Sequence, residues 1–191
     1  MKDRVSHFLQ KTGIFAVLAL IFLACSFISK DFLKYNNLVN VTRQLCVGIL
    51  IAYGEMLLII SGFLDLSVGS VLALSGVVSI MVFKSSGNIL AALVTALLIG
   101  IICNIVNAFF VAQLKVPAFI ATLGMMQVAR GIALYITGGK NILQLGKYVK
   151  VGQGMLGPIP VPVIIVVFVT ALVWWLLNHT RYGRSLYAIG G

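Results

Sequence analysis

Long apolar runs, each about the length of a membrane span, follow one another along the chain and restrict how it can fold. Of the 191 residues, 61% are hydrophobic and only 9% are charged, whereas an ordinary soluble domain has about 25% charged residues. Inside a bilayer the backbone has no water to bind, so these runs are expected to be helical. The sequence therefore predicts an all-α, polytopic integral membrane protein with about six hydrophobic segments.

The predicted segments are separated by short polar or proline-containing stretches. They cover residues 13–29, 44–60, 66–83, 88–112, 118–136 and 159–177. The first could be a cleaved signal peptide, but about 17 apolar residues exceed a usual signal core, so a retained helix is favoured. The fifth is less apolar, and it either spans the bilayer or enters and returns. Residues 140–158 are predicted to form a polar loop, and residues 178–191 a polar tail.

A carboxylate, Asp65, lies between the second and third segments. A charge at bilayer depth is costly unless it is paired, hydrogen-bonded or hydrated. Gly62 permits a break in the helix near residues 61–66, and Asp65 or Ser67 can then cap the amides of the next helix. A structural cap at the membrane interface is one interpretation. The other is that the broken helix lines a substrate path, as discontinuous helices do in many transporters.

Four further polar residues lie inside predicted spans. Glu55 must be protonated, face a wet cavity or have a partner, and Arg130 is an available partner because it is the only arginine deep in an apolar segment. Asn104 and Asn107 are predicted to face the same way on one helix. They would serve either as hydrogen-bonding contacts between helices, which is the favoured interpretation, or as the lining of a cavity.

Composition argues against several classes of function. The net charge is +10, but the 14 Lys and Arg are scattered between apolar runs, which indicates membrane-flanking charge and no nucleic-acid partner. These charges divide almost evenly between the two sides, so they do not set the orientation. The three cysteines show no CxxC pair and the two histidines no ligand spacing, so no metal site or catalytic triad is predicted. Without a Walker sequence, any ATP use must come from another chain, and no cofactor is predicted.

Four motifs occur in order along the chain. Residues 64–70 read LDLSVGS; Asn107 precedes KVPAFIATLGM at 115–125; Arg130-Gly131 precedes ITGG at 136–139; and residues 180–191 read TRYGRSLYAIGG. From about residue 36 to its end, the chain resembles the membrane subunits of bacterial ABC importers for ribose and similar monosaccharides. The candidate translocation-path residues, most of them at motif positions, are Asp65, Ser67, Gly69, Asn104, Asn107 and Thr122. The resemblance also implies a cytoplasmic segment containing Arg181, Gly183, Arg184, Tyr187 and Gly190.

The resemblance implies a bacterial inner-membrane permease with three kinds of partner besides the lipid bilayer. These are a separate ATP-binding cassette ATPase, a periplasmic or lipid-anchored sugar-binding protein, and a second permease subunit, identical or different. The two permeases would form a sugar path that works by alternating access. Other classes remain open: a secondary carrier, or a truncated subunit that only associates with a full-length permease.

The resemblance also concerns chain length. In the family, the segment equivalent to Gly190-Gly191 is followed by the cytoplasmic coupling region and by further spans. The expectation is therefore that residues 1–191 form a single transmembrane permease domain, truncated before the coupling region.

Overall fold

A computed structural model describes residues 2–143 and 145–191, and it describes side chains from residue 13 onward, except at position 144. The side chains of the basic flank at 1–12, including His7, therefore lie outside the described residues. The described part contains eight α-helices, which confirms the all-α prediction. They are α1 (Lys2–Ile28), α2 (Tyr35–Ile60), α3 (Val68–Ser86), α4 (Ile89–Ala112), α5 (Ala118–Thr137), α6 (Val149–Gln153), α7 (Val161–His179) and α8 (Arg181–Gly190).

Five of the described helices, α2, α3, α4, α5 and α7, are long and apolar enough to cross a membrane. The first predicted segment differs from them, because the apolar part of α1, Gly13–Ile28, is shorter. The fifth segment forms one unbroken helix of 20 residues, α5. The chain is therefore a multi-pass helical membrane protein, as predicted.

The chain divides into two compact units, one ending at Leu45 and one from Cys46 to Gly191. In the first unit, Phe22 and Phe32 pack edge to face with their ring centroids 5.1 Å apart. The Asn37 amide donates a hydrogen bond of 2.8 Å to the Phe32 carbonyl. These contacts shape the turn before α2, which begins at Tyr35 and not near residue 44. The apolar pattern marks the lipid-facing length of a helix and misses its polar first turns.

In the second unit, α3, α4 and α5 pack together around a small core. Its buried residues are mostly short, so that the helix backbones can approach closely. The core consists of Val71, Leu74, Cys103, Ala129 and Ala133. Cys103 is a free, buried thiol.

The predicted polar loop at 140–158 carries short regular elements and is attached to the helices. It contains a 3-10 turn (Gly146–Tyr148), α6, and a hairpin of β1 (Met155–Leu156) and β2 (Ile159–Pro160). The Tyr148 hydroxyl lies 2.7 Å from the Ser79 hydroxyl. The Tyr148 ring contacts the Phe83 ring, with the ring centroids 5.5 Å apart. The Ser79 hydroxyl also donates to the Ala92 carbonyl at 2.8 Å. The loop prediction is therefore wrong for this segment, because the Tyr148 ring and hydroxyl hold it against α3.

Candidate functional site

The predicted helix break lies between α2 and α3, from Ser61 to Ser67. Gly62 adopts φ +80°, a left-handed conformation that glycine adopts without steric cost. The Ser61 hydroxyl donates to the Leu57 carbonyl at 2.8 Å, and the Phe63 amide donates to the Leu58 carbonyl at 3.0 Å. The carbonyl groups of Leu57 and Leu58 at the end of α2 are thus hydrogen-bonded by the residues that follow directly. The chain turns away from the helix at Gly62.

The Asp65 carboxylate folds back onto Ser67. Its Oδ1 accepts hydrogen bonds from the Ser67 amide at 2.7 Å and from the Ser67 hydroxyl at 2.6 Å. Ser67 occupies the N-cap position of α3, yet its side chain makes no capping bond to the helix amides. The capping prediction is therefore wrong for Ser67, because its hydroxyl is held by the carboxylate. Asp65 instead fixes the residue from which α3 begins, where a negative charge also suits the helix dipole.

Asn107 of α4 completes the arrangement. Its Nδ2 donates to the Ser67 hydroxyl at 3.2 Å, and Ser67 is fully buried. Asn107 itself is only 6% exposed, and within the described part of the chain its Oδ1 has no hydrogen-bond partner. The 65–67–107 network therefore joins the start of α3 to α4. This contact agrees with the favoured interpretation of Asn107 as a polar link between helices.

Asn104 lies outside this network. It is exposed, and its Nδ2 donates to the Gly100 carbonyl of its own helix at 3.0 Å. The two asparagines, which were predicted to face the same way, therefore differ in burial. Three residues along an α-helix turn the side chain by about 300°, so the two point about 60° apart. Because only a narrow face of α4 is buried, this angle is enough to bury Asn107 and to leave Asn104 exposed.

A cavity of about 950 Å³ lies between α3 and α5. Among the predicted path residues it is lined by Gly69, which is exposed, and not by Asp65, Ser67, Asn107 or Thr122. The Thr122 hydroxyl is buried and donates to the Ala118 carbonyl at 2.8 Å, within its own helix. The 65–67–107 network is thus not part of the cavity wall. It fixes the first turn of α3, which presents Gly69 to the cavity.

Arg130 also lines the cavity, and it is exposed there. Glu55 lies on α2 with its Oε1 buried and, within the described residues, without a hydrogen-bond partner. No ion pair within 4.0 Å joins these two side chains in that part of the chain, so the predicted pairing is wrong. The physical reason is that α5 packs chiefly on α3 and α4, whereas Glu55 belongs to α2.

Three polar residues of the cavity wall were not among the candidate path residues. Ser70 follows the motif residue Gly69, and Lys140 and Asn141 follow the glycine pair that ends α5. Within the described residues, their side chains form no hydrogen bond or ion pair with one another or with other groups. For Lys140 and Asn141 the spacing carried no signal, because a loop that follows a helix can turn in many directions. Only the path of residues 139–143 along α3 places them.

The predicted polar tail forms the helix α8. The Thr180 hydroxyl accepts a hydrogen bond from the Gly183 amide at 3.2 Å, a side-chain cap for the first turn. Gly183 and Leu186 are buried, and Gly190 lies one turn further on the same face. Both glycines are needed because a Cβ at either position would overlap backbone. At Gly183 it would meet the Leu177 carbonyl oxygen, and at Gly190 that of Ile60.

This packing places the cytoplasmic-segment candidates on two sides of α8. Gly183 and Gly190 contact α7 and the end of α2, whereas the other three candidates are exposed: Arg181, Arg184 and Tyr187. The last turn of α8 therefore lies directly beside the helix break that begins at Ser61. A signal for α8 was present in the sequence. The hydroxyl residue Thr180 precedes Gly183, Leu186 and Gly190, which are small or apolar and recur at helical spacing.

Comparison with known proteins shows similarity over most of the chain. A family profile described as the branched-chain amino acid transport system / permease component matches residues 37–191. The chain is 35% identical to the ribose import permease protein RbsC of Haemophilus influenzae, over 98% of this chain and 60% of that protein.

Two further relatives carry other names. The D-allose transport system permease protein AlsC of Escherichia coli K12 is 34% identical over 96% of this chain and 57% of its own length. The autoinducer 2 import system permease protein LsrC of Escherichia coli HS is 34% identical over 94% of this chain and 52% of its own length. The chain thus spans about half to three-fifths of the length of these relatives. No solved structure shows detectable similarity to the chain.

Proposed function

Since the chain belongs to this family of transport permease components, we propose that it is the membrane-spanning subunit of an ABC importer for a monosaccharide, ribose or a related sugar. The resemblance inferred from the four motifs is confirmed by the family profile and by the permeases described above. These relatives are transport permeases and not enzymes. The chain is accordingly assigned to the bacterial inner membrane as a multi-pass protein.

The observation that carries the proposal is the interrupted helix beside a cavity. The 61–67 break precedes α3, and the first turns of α3 present Gly69 and Ser70 to the space between α3 and α5. In transporters, broken helices near the substrate commonly provide backbone and side-chain groups for binding. A sugar path along α3 therefore accounts for both the break and the cavity, with the 65–67–107 network holding the break in register.

The proposed partners follow from the same assignment. ATP hydrolysis would take place on a separate ATP-binding cassette subunit, and a periplasmic or lipid-anchored sugar-binding protein would deliver the substrate. A second permease subunit, identical or different, would complete the path. In this arrangement α8 lies on the cytoplasmic side and presents Arg181, Arg184 and Tyr187. Its Gly190 contact would connect that side to the helix break.

The test is complementation of ribose uptake. The chain is expressed in Escherichia coli that lacks its own ribose permease but retains the other import components, and uptake of radiolabelled D-ribose is measured. The proposal predicts ATP-dependent uptake that Asp65→Ala strongly reduces and Asn104→Ala leaves nearly unchanged. Membrane levels of both variants are measured by immunoblotting.

Two other results would each replace the proposal. Uptake that persists after ATP depletion with the ion gradient maintained, and that Glu55→Gln abolishes, would identify a secondary carrier. Absence of uptake, together with co-purification of a full-length ribose permease that is co-expressed in a second experiment, would identify a subunit that only associates. Absence of both uptake and association would reject a role in this import system.

A further inference from the structure

The cavity between α3 and α5 contains two cationic side chains and no carboxylate from the described residues. Arg130 enters it from α5, and Lys140 from the segment that follows α5. Ser70 and Asn141 add a hydroxyl and an amide to the same wall. The rest of the lining is largely apolar, including Leu72, Val77, Ile80, Met126 and Leu134. The polar part of this cavity is therefore dominated by hydrogen-bond donors.

The chain supplies almost nothing to balance these charges. It contains only four acidic residues in total. Of those with described side chains, Asp31 pairs with Lys34 at 2.5 Å, and Asp65 accepts two hydrogen bonds from Ser67. Glu55 does not line the cavity. Within the described residues, neither Arg130 nor Lys140 has a side-chain hydrogen bond or an ion pair.

The position of Arg130 makes this imbalance significant. Arg130 lies 12 residues after the first residue of α5 and seven before its last, which corresponds to about 18 Å and 10 Å along the helix axis. An arginine at such a depth is costly unless it is paired or lines a wet cavity, and intramembrane charges commonly mark binding sites or pathways. The planar guanidinium has five donors that match a carboxylate or phosphate with two parallel hydrogen bonds.

We propose that the α3–α5 cavity binds an anionic oxygen group, a carboxylate or phosphate, through Arg130, with Lys140 and Asn141 as additional donors. The cavity volume of about 950 Å³ accommodates a small molecule that carries such a group. The group can belong to a soluble sugar derivative or to the headgroup of an anionic lipid. This inference goes beyond the proposed function, because it concerns binding and does not require transport.

The experiment compares D-ribose with its acidic derivative, which carries a carboxylate at C1. The full chain is reconstituted in phosphatidylcholine nanodiscs, and binding of D-ribonate and of D-ribose is measured by thermal shift and isothermal titration. D-ribonate carries a carboxylate at C1, the carbon that is a hemiacetal in the ring forms of D-ribose. We expect ribonate to bind more tightly than ribose, and Arg130→Gln to weaken ribonate binding roughly ten- to hundredfold, since charged hydrogen bonds are lost.

Two variants control for folding and for general charge. Arg130→Lys retains the charge but not the paired donors, so it is expected to bind with intermediate affinity. Lys147→Gln removes a positive charge from the 3-10 turn, outside the cavity, and should leave the affinity unchanged. Circular dichroism and size-exclusion chromatography check that each variant is folded.

A second measurement distinguishes a soluble ligand from a lipid headgroup. Nanodiscs containing phosphatidylglycerol are analysed by native mass spectrometry for lipid that remains bound to the wild type and is lost from Arg130→Gln. Ribonate binding that depends on Arg130 identifies a soluble ligand, and retained phosphatidylglycerol that depends on Arg130 identifies a lipid headgroup. The proposal is overturned if neither ribonate nor phosphatidylglycerol binds, if Arg130→Gln weakens the binding of neither, or if ribose binds as tightly as ribonate and no phosphatidylglycerol is retained.

Discussion

The side-chain amide of Asn107 lies 3.2 Å from the hydroxyl of Ser67 and donates a hydrogen bond to it. This bond connects two helices that are adjacent in the bundle, at the point where α3 begins. The same hydroxyl donates to Asp65, so one serine holds both the helix break and the neighbouring helix. Substitutions of Asp65, Ser67 and Asn107 should therefore each change the stability of the helix break by a different amount.

Loss of the Asn107 amide should destabilise the bundle by about 0.6 kcal/mol and by no more than about 1.7 kcal/mol, the average and the maximum measured for hydrogen bonds between helices in one membrane protein. The variant is Asn107→Ala, and the measurement is unfolding by sodium dodecyl sulfate in mixed micelles. Asn104→Ala is the matched control, because that amide bonds only to its own helix and is exposed. Equal losses for the two variants would contradict the structural role of Asn107.

Asp65→Ala should cost about 1.5 to 3 kcal/mol, because a charged acceptor of two hydrogen bonds is removed. Asp65→Asn should cost clearly less, since its amide oxygen can still accept from the Ser67 amide and hydroxyl. Unfolding in micelles measures both. If the asparagine variant is as unstable as the alanine variant, the negative charge matters and the hydrogen bonds do not.

Ser79→Ala should destabilise more than Tyr148→Phe. The serine change removes the bond to the Ala92 carbonyl and leaves the Tyr148 hydroxyl unpaired, whereas the tyrosine change leaves Ser79 bonded to Ala92. The double variant should show a coupling energy of about 0.5 kcal/mol or more. Additive losses would mean that Tyr148 does not attach its segment to α3.

Gly190→Ala should release α8 from the end of α2, because the added Cβ would overlap the Ile60 carbonyl. Overpacking that costs about 1.4 kcal/mol raises the released population roughly tenfold, and tryptic cleavage after Arg181 and Arg184 should accelerate in proportion. Gly124→Ala in α5 is the control, since no atom lies within 4 Å of its added Cβ. Unchanged cleavage of Gly190→Ala would show that α8 does not need this contact.

The sequence predicted the helices well because their bounds depend on local properties. Apolar length and the glycine at the 61–66 break both act within a few residues. The cap of α4 is equally local, since the Asn88 side chain accepts hydrogen bonds from the Leu90 and Ala91 amides. The early start of α2 was missed because its first turns are polar and resemble a loop.

The candidate site was predicted less well because it depends on which helices are neighbours. Glu55 and Arg130 have complementary charges, yet the fold places their helices against different partners. Asn104 and Asn107 are about 60° apart on α4. The sequence alone does not tell which of them lies on the buried face. The cavity donors Lys140 and Asn141 lie in an irregular segment, whose direction is set by tertiary contacts such as the bond from Lys84 to the Leu143 carbonyl.

The close approach of Gly190 to Ile60 also makes α8 intolerant of changes in length. Inserting one residue between Leu186 and Gly190 would rotate the end of the helix by about 100°. Ile189 would then occupy the position of Gly190, with a branched side chain directed at a backbone carbonyl. Exposed substitutions in α8 should thus be accepted in many combinations, whereas a single inserted or deleted codon in this short stretch should not.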